Sequence, residues 1–308
     1  MSTGDMSSDE VIITVAVVRR LVARQFPEWA GLPVVPVPSP GVDNATYRLG
    51  ETMSVRLPRF SRWEGQVTRE QCWLPRFAPQ LPLPVPVPLA VGAPTAEYPF
   101  PWSVYRWLDG ERADPERLTD LRQTALDLAE FFLALQRIDA TDGPPPEWSN
   151  GFRGVPMGDP RDSAVVESRV RTWIAALVGR INIDAATEVF ETALAAPAWD
   201  RPPVWVHGDP APGNLLSRNG RLSAVIDFGT LAVGDPACDL IVAWALLDDD
   251  ARGVLREALA IDDATWARGR AWGLTAVLPD PSRPATDGEA DRFDALVADL
   301  RCDRNPRW

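Results

Sequence analysis

Lysine is absent from this chain, and all 31 of its basic residues are arginine. Any site that would ordinarily use an ammonium group must use a guanidinium, which stays charged and presents a planar fork of donors suited to phosphate oxygens. Histidine is almost absent as well. With His207 as the single imidazole, a histidine-based zinc site or a serine–histidine–aspartate triad is disfavoured unless that one residue serves it. The three cysteines, Cys72, Cys238 and Cys302, are far apart and not in metal-ligand spacing. An odd, scattered set reads as reduced thiols in a reducing compartment. Long apolar runs are missing too. The stretch from Val11 to Val18 stops at Arg19 and Arg20, well short of the roughly 20 residues that span a bilayer. The first ten residues are polar and acidic, the reverse of a signal-peptide start. The expectation is a soluble, cytoplasmic protein.

What is present is enough apolar material for a real core, 45% of 308 residues, together with a formal net charge of −12. That length accommodates one large domain or two smaller ones. The acidic balance argues against nucleic acid and anionic membranes as partners. It is compatible with cationic substrates, and equally with nothing more specific than solubility.

Residues 11–30 have the spacing of an amphipathic helix that ends near Phe26 and Pro27. Gly31 to Pro40 is proline-rich and extended. Ala45 to Leu49 and Met53 to Leu57 alternate around a Gly50–Glu51 turn and predict a β-hairpin. Arg62 to Phe77 has helical spacing. Leu81 to Pro88 alternates proline with Leu and Val, which suits neither a helix nor a central strand, and reads as an extended connector. Phe100 to Leu108 is aromatic and β-branched, a strand, and a domain boundary follows it, giving units over 1–108 and 109–308. Helices are expected over about 118–138, 164–178 and 185–194. Val204 to Val206 and Leu222 to Ile226 read as short strands that pair with each other as a hairpin. Cys238 to Leu247 reads as an apolar helix ended by the acidic run Asp248 to Asp250.

The chemistry concentrates in Val206 to Leu215 and Val225 to Gly229. One strand delivers a tight loop bearing a carboxylate, Asp209, and an amide, Asn214. A second delivers another carboxylate, Asp227, with Gly229 behind it. An aspartate base beside an Asn/Asp pair of hard oxygen donors is what phosphoryl transfer to a hydroxyl requires. Magnesium takes oxygen ligands from one or two carboxylates and from phosphates, and the base orients the hydroxyl and accepts its proton. Because the transition state is loose, positioning and charge stabilisation carry most of the acceleration.

These residues resemble a known family. His207, Asp209 and Asn214 match the H-x-D-x-x-x-x-N motif of the aminoglycoside phosphotransferases. Asp227, Phe228 and Gly229 match their metal-binding segment, and Gly234 to Leu240 is similar to their G-D-P-x-x-D-L segment. The resemblance covers roughly residues 10–275. It implies an α+β, bilobal protein-kinase-like fold, with an antiparallel sheet in a small N-terminal lobe and a large, mainly helical C-terminal lobe.

It further implies Asp209 as catalytic base, Asn214 and Asp227 as Mg2+ ligands, and ATP or GTP as co-substrate, with the choice between them left open. Ser39 to Tyr47 falls where the nucleotide-covering loop lies, making Gly41, Asn44 and Tyr47 the phosphate-side residues. Arg56 stands where kinases usually place the phosphate-clamping lysine. Glu70 is its expected ion-pair partner and Glu64 the competitor. Val104 to Leu108 resembles the hinge, with Arg106 and Leu108 holding the purine through backbone groups.

The implied reaction is phosphorylation of a cationic, aminoglycoside-like hydroxyl compound, of the antibiotic-resistance type. A macrolide, a choline-like alcohol or a metabolite is the alternative acceptor, and a catalytically silent nucleotide-binding module is the alternative from another class. His207 is expected to orient the catalytic loop, and Asp235 and Asp239 to cap and brace. Trp244 and Trp272 are core residues or acceptor-pocket walls. Beyond about Leu278 the family's usual C-terminal helix is not recognisable, although Phe293, Leu296, Val297 and Leu300 keep helical spacing.

Overall fold

The computed structural model describes residues 10–38, 43–159, 163–279 and 289–303. The chain forms two compact units. One comprises Met1–Asp109 together with Ile226–Gly229, and the other comprises Gly110–Val225 and Thr230–Trp308. A single cut along the sequence therefore misses one exchange: four residues containing Asp227 belong with the N-terminal unit.

In the N-terminal unit, helix α1 (Val15–Gln25) starts at Thr14, whose hydroxyl accepts the Val17 amide. It is shorter than the spacing suggests, because Pro27 opens a separate 3-10 turn over Pro27–Trp29. Strands β1 (Val34–Pro36), β2 (Asn44–Leu49), β3 (Met53–Pro58), β4 (Pro88–Gly92) and β5 (Trp102–Arg106), with helix α2 (Gly65–Phe77) between β3 and β4, complete the unit. The sheet is antiparallel, ordered β1-β2-β3-β5-β4. The expected hairpin is present, with Leu49 opposite Met53 and Asn44 opposite Pro58, and Gly50 turns it at φ 60°. Period-two burial puts Ala45, Tyr47 and Leu49 on the core face against Val18, Leu21 and Val22 of α1. Trp102 is fully buried and tolerates nothing larger than glycine opposite it, since a Cβ on Gly92 would lie 1.9 Å from the indole.

In the C-terminal unit, β6 (Glu111–Arg112) leads to helices α3 (Leu121–Arg137), α4 (Ala164–Ala176) and α5 (Ile183–Ala195). Strands β7 (Val204–Val206), β8 (Leu215–Arg218), β9 (Arg221–Val225) and β10 (Ala232–Gly234) follow, then helices α6 (Ile241–Ala245), α7 (Asp249–Ala258), α8 (Asp263–Val277) and α9 (Glu289–Asp303). The strand pairing differs from expectation. β7 does not pair with β9. It pairs with β10, Val206 opposite Ala232, while β9 forms a tight hairpin with β8. The intervening Leu215 to Arg218 is the nearest partner in sequence for β9, and a two-residue connection through Asn219 and Gly220, both at positive φ, suits a tight hairpin between them.

The acidic run is also corrected. Asp248 to Asp250 does not close a helix; it opens α7. The Asp248 carboxylate accepts the Ala251 amide at 2.9 Å, and negative charge in a first helical turn faces the positive end of the helix dipole. The tail contains α9, with Phe293 and Leu296 buried. Trp244 and Trp272 are core residues, 2% and 0% exposed. Among the described residues no helix is long and apolar enough to cross a membrane.

Candidate active site

Each unit carries its own set of functional side chains. In the N-terminal unit, Arg56 on β3 is almost buried and bridges two carboxylates. Its Nη1 donates to Glu70 Oε1 at 2.9 Å, and its Nη2 donates to Asp227 Oδ1. Glu70, not Glu64, is therefore the partner on α2; Glu64 is solvent-exposed just ahead of the helix. The Tyr105 hydroxyl donates to the other Glu70 oxygen.

Burial alone would strip charge from this cluster. For Arg56 it is outweighed by the carboxylates of Asp227 and Glu70, which hold the guanidinium pKa above its ordinary value. For Glu70 burial dominates and raises the carboxyl, with Arg56 pulling against it. Asp227 sits at φ 66°, a left-handed conformation that a non-glycine residue adopts only under constraint, and its side chain keeps 37% of its surface exposed. The segment that holds it is pinned. Arg69 donates to the Gly229 carbonyl, and a Cβ on Gly229 would meet the Gln66 amide at 2.5 Å.

The other residues expected on the nucleotide side have these surroundings. Gly41 lies outside the described residues. Asn44 is buried, its amide nitrogen donating to Gln66 Oε1 at 3.0 Å. Tyr47 departs from the phosphate-side expectation. Strand alternation turns it to the core face, and its hydroxyl donates to the Ile13 carbonyl at 2.8 Å. On the hinge-like strand the Arg106 amide donates to Val87 and the Trp107 amide to Thr52. The Arg106 side chain is exposed and Leu108 is half-buried.

In the C-terminal unit the turn after β7 positions Asp209. The Asp239 carboxylate, 2% exposed as a residue, accepts the backbone amides of His207 at 3.0 Å and Gly208 at 2.7 Å. Burial pushes the Asp239 carboxyl up to about 7, with the two amides and the Arg153 charge pulling it down less strongly. His207 is fully buried and its Nδ1 accepts the Asp209 amide at 3.2 Å, an orienting role. Gly208 is required at φ 86°, where a Cβ would lie 2.7 Å from the Thr230 carbonyl. Asn214 Nδ2 donates to the Asp209 carbonyl at 2.8 Å and to Asp209 Oδ2 at 3.1 Å.

Behind this turn Asp235 caps Ala237 and forms a buried ion pair with Arg268, Nε to Oδ2 at 2.7 Å. Sequence reasoning missed Arg268, whose helix α8 shows no polar face to reveal it, and Arg153, whose Nη2 stands 3.5 Å from Asp209 Oδ1.

A tight turn presenting a braced aspartate with an asparagine on its carboxylate, and a second aspartate held beside a buried arginine, is the equipment of a phosphoryl-transfer enzyme. Residues 34–272 match the family model described as the phosphotransferase enzyme family.

The chain belongs to that family.

It is a small-molecule kinase, a phosphotransferase acting on hydroxyl groups. No curated protein matches the chain. Solved structures share its kinase-like fold. A GDP complex of wild-type aminoglycoside 2'-phosphotransferase-IIIa superposes with a TM-score of 0.66 at 18% identity, over 95% of this chain and all of that one (100%). A streptomycin–ATP ternary complex of APH(2'')-IIa gives 0.56 at 18% identity, over 94% and 97%. The macrolide 2'-phosphotransferase MphH of Brachybacterium faecium gives 0.57 at 24% identity, over 94% and 98%.

Proposed function

We propose that this phosphotransferase moves the γ-phosphoryl group of ATP or GTP to a hydroxyl of a small molecule, with Asp209 as catalytic base. The acceptor oxygen attacks the γ-phosphorus, the bond from that phosphorus to the β–γ bridging oxygen breaks, and the nucleoside diphosphate leaves with the bond's electron pair. The acceptor proton passes to Asp209. Arg56, steadied by Glu70, binds the triphosphate oxygens with its two-pronged guanidinium in place of a lysine. Asn44 and Tyr47 belong to the strand next to the segment that would cover the nucleotide, and Gly41 is assigned to that segment by the resemblance alone. Of these, Asn44 and Tyr47 act by holding that segment's shape. Arg106 and Leu108 contribute backbone groups to the purine.

The observation that carries the reading is the Asn214–Asp209 contact. With its nitrogen committed to Asp209, Asn214 offers its amide oxygen to a hard cation, and Asp227 offers a half-exposed carboxylate. Two such oxygen donors, completed by phosphates and water, fit magnesium. When bound, the ion would neutralise phosphate charge as it shifts toward the leaving group. Asn214 and Asp227 would hold it, and the Asp239 braces would hold Asp209 in register.

Similar phosphotransferases form complexes with GDP and ATP, which supports a nucleotide co-substrate here. The acceptor that the family resemblance implies is a cationic aminoglycoside, with antibiotic resistance as its consequence; the guanidinium beside Asp209 bears directly on that choice. Incubation with ATP or GTP, magnesium and a mixed panel of aminoglycosides, macrolides, amino alcohols and hydroxy acids, followed by mass spectrometry, tests the reaction. A product heavier by one phosphoryl group is expected. Nucleotide binding with no phosphorylated product from any class would favour a silent nucleotide-binding module.

A further inference from the structure

Arg153 lies in a proline- and glycine-rich loop whose backbone is tied down on both sides of it. Just ahead of it, Asn150 is fully buried, accepting the Glu147 amide at 2.8 Å and donating to the Pro145 carbonyl at 2.9 Å. Gly151, Phe152 and Gly154 all adopt positive φ, at 67°, 59° and 83°. The Gly154 carbonyl accepts the Asp235 amide at 2.7 Å, an approach that demands glycine opposite, since a Cβ on Gly234 would lie 2.2 Å from that oxygen. The Arg153 stem packs where a Cβ on Gly208 would come within 2.8 Å of it. Its guanidinium lies 5.1 Å from the centre of the Trp272 ring and retains 19% exposure. Such a backbone holds a side chain at a fixed point, and that point is the catalytic carboxylate.

Asp209 meets Asn214 with Oδ2 and faces Arg153 with Oδ1. At 3.5 Å the second approach is an ion contact rather than a hydrogen bond, so it does not use the donors of the fork. An acceptor hydroxyl must come within about 3 Å of an Asp209 oxygen. The part of the acceptor next to that hydroxyl then lies within reach of the Arg153 guanidinium. A second arginine adds to the same sign of charge: partial burial and the Arg153 charge together press the Arg169 guanidinium below its ordinary value. An ammonium entering here meets two guanidinium groups as well as the Asp209 carboxylate, whereas a carboxylate or phosphate meets a planar fork that can bind it through two oxygens.

We propose that Arg153 is a specificity-determining residue of the acceptor site, selecting an alcohol that carries an anionic group, carboxylate or phosphate, over a polyamine. This rests on the kinase reading above and narrows its acceptor class away from polycationic aminoglycosides.

The test compares acceptors matched in scaffold, one set of hydroxy acids and sugar phosphates and one set of amino alcohols and aminoglycosides, at fixed magnesium and nucleotide. The wild type is expected to favour the anionic set by about tenfold or more in kcat/KM, mainly through KM. Arg153→Met should flatten the preference and Arg153→Glu should reverse it, with the nucleotide KM close to that of the wild type in both. A wild type that prefers the polyamines, or an unchanged preference in Arg153→Glu, overturns the proposal. Asp209→Asn separates the two levels of the argument. If it leaves transfer intact, the kinase reading itself fails; if it abolishes transfer while the polyamines are preferred, only the assignment of Arg153 fails.

Discussion

Asp239 couples the turn that carries Asp209 to pH. Its folded carboxyl is raised by burial from 3.8 to about 7. The folded state therefore binds a proton more tightly than the unfolded chain. Its contribution is fully present below about pH 4 and is lost as pH climbs through about 7. Each tenfold in proton affinity is worth about 1.4 kcal/mol, so the loss across this window is on the order of 4 kcal/mol, with the two amide hydrogen bonds already counted against it.

Asp239→Asn removes the titration. It also leaves one amide oxygen to serve two backbone N–H groups, at a cost of about 1–3 kcal/mol. Urea unfolding at steps between pH 4.5 and 8 should show the wild type losing stability relative to the variant as pH rises, starting above it and falling to or below it by pH 8. Parallel curves would refute the argument, because they would mean that Asp239 ionises with the same affinity folded and unfolded.

Arg56→Lys keeps the charge but cannot bridge Glu70 and Asp227 at once. It should lower kcat/KM for the nucleotide by about 10- to 100-fold, and equal kinetics would show that the fork is not used. Arg268→Met strands Asp235, whose side chain is 0% exposed. A loss of about 3–5 kcal/mol is expected in denaturant titration, much of it recovered when Asp235→Asn is added. A loss below about 1 kcal/mol in the single variant would contradict the buried-pair account.

The local parts of this fold are legible in the sequence because local physics decides them. The β2–β3 hairpin is written in alternation and a glycine turn, and α3, α4 and α5 in helical spacing. The motif residues are legible because phosphoryl transfer restricts which side chains can stand at which intervals. The pairing of β7 with β10 is not, since three apolar residues carry no information about a distant partner. The run Asp248 to Asp250 is ambiguous in sequence, because like charges can follow one helix or begin the next; only the Ala251 amide decides it. Tyr47 misleads because a strand's two faces differ by one residue, and the core face takes the larger aromatic. Arg153 leaves no periodic trace. Its position comes from three left-handed backbone residues and a buried asparagine, none of which marks it in the sequence.

The central claim is that one carboxylate accepts the acceptor's proton during phosphoryl transfer. Transfer of labelled γ-phosphate from nucleotide to acceptor, measured for the wild type and for Asp209→Asn at saturating nucleotide, tests it most directly. The account predicts a fall in kcat of at least about 100-fold with the nucleotide KM little changed. A variant that turns over at a rate comparable to the wild type would contradict it.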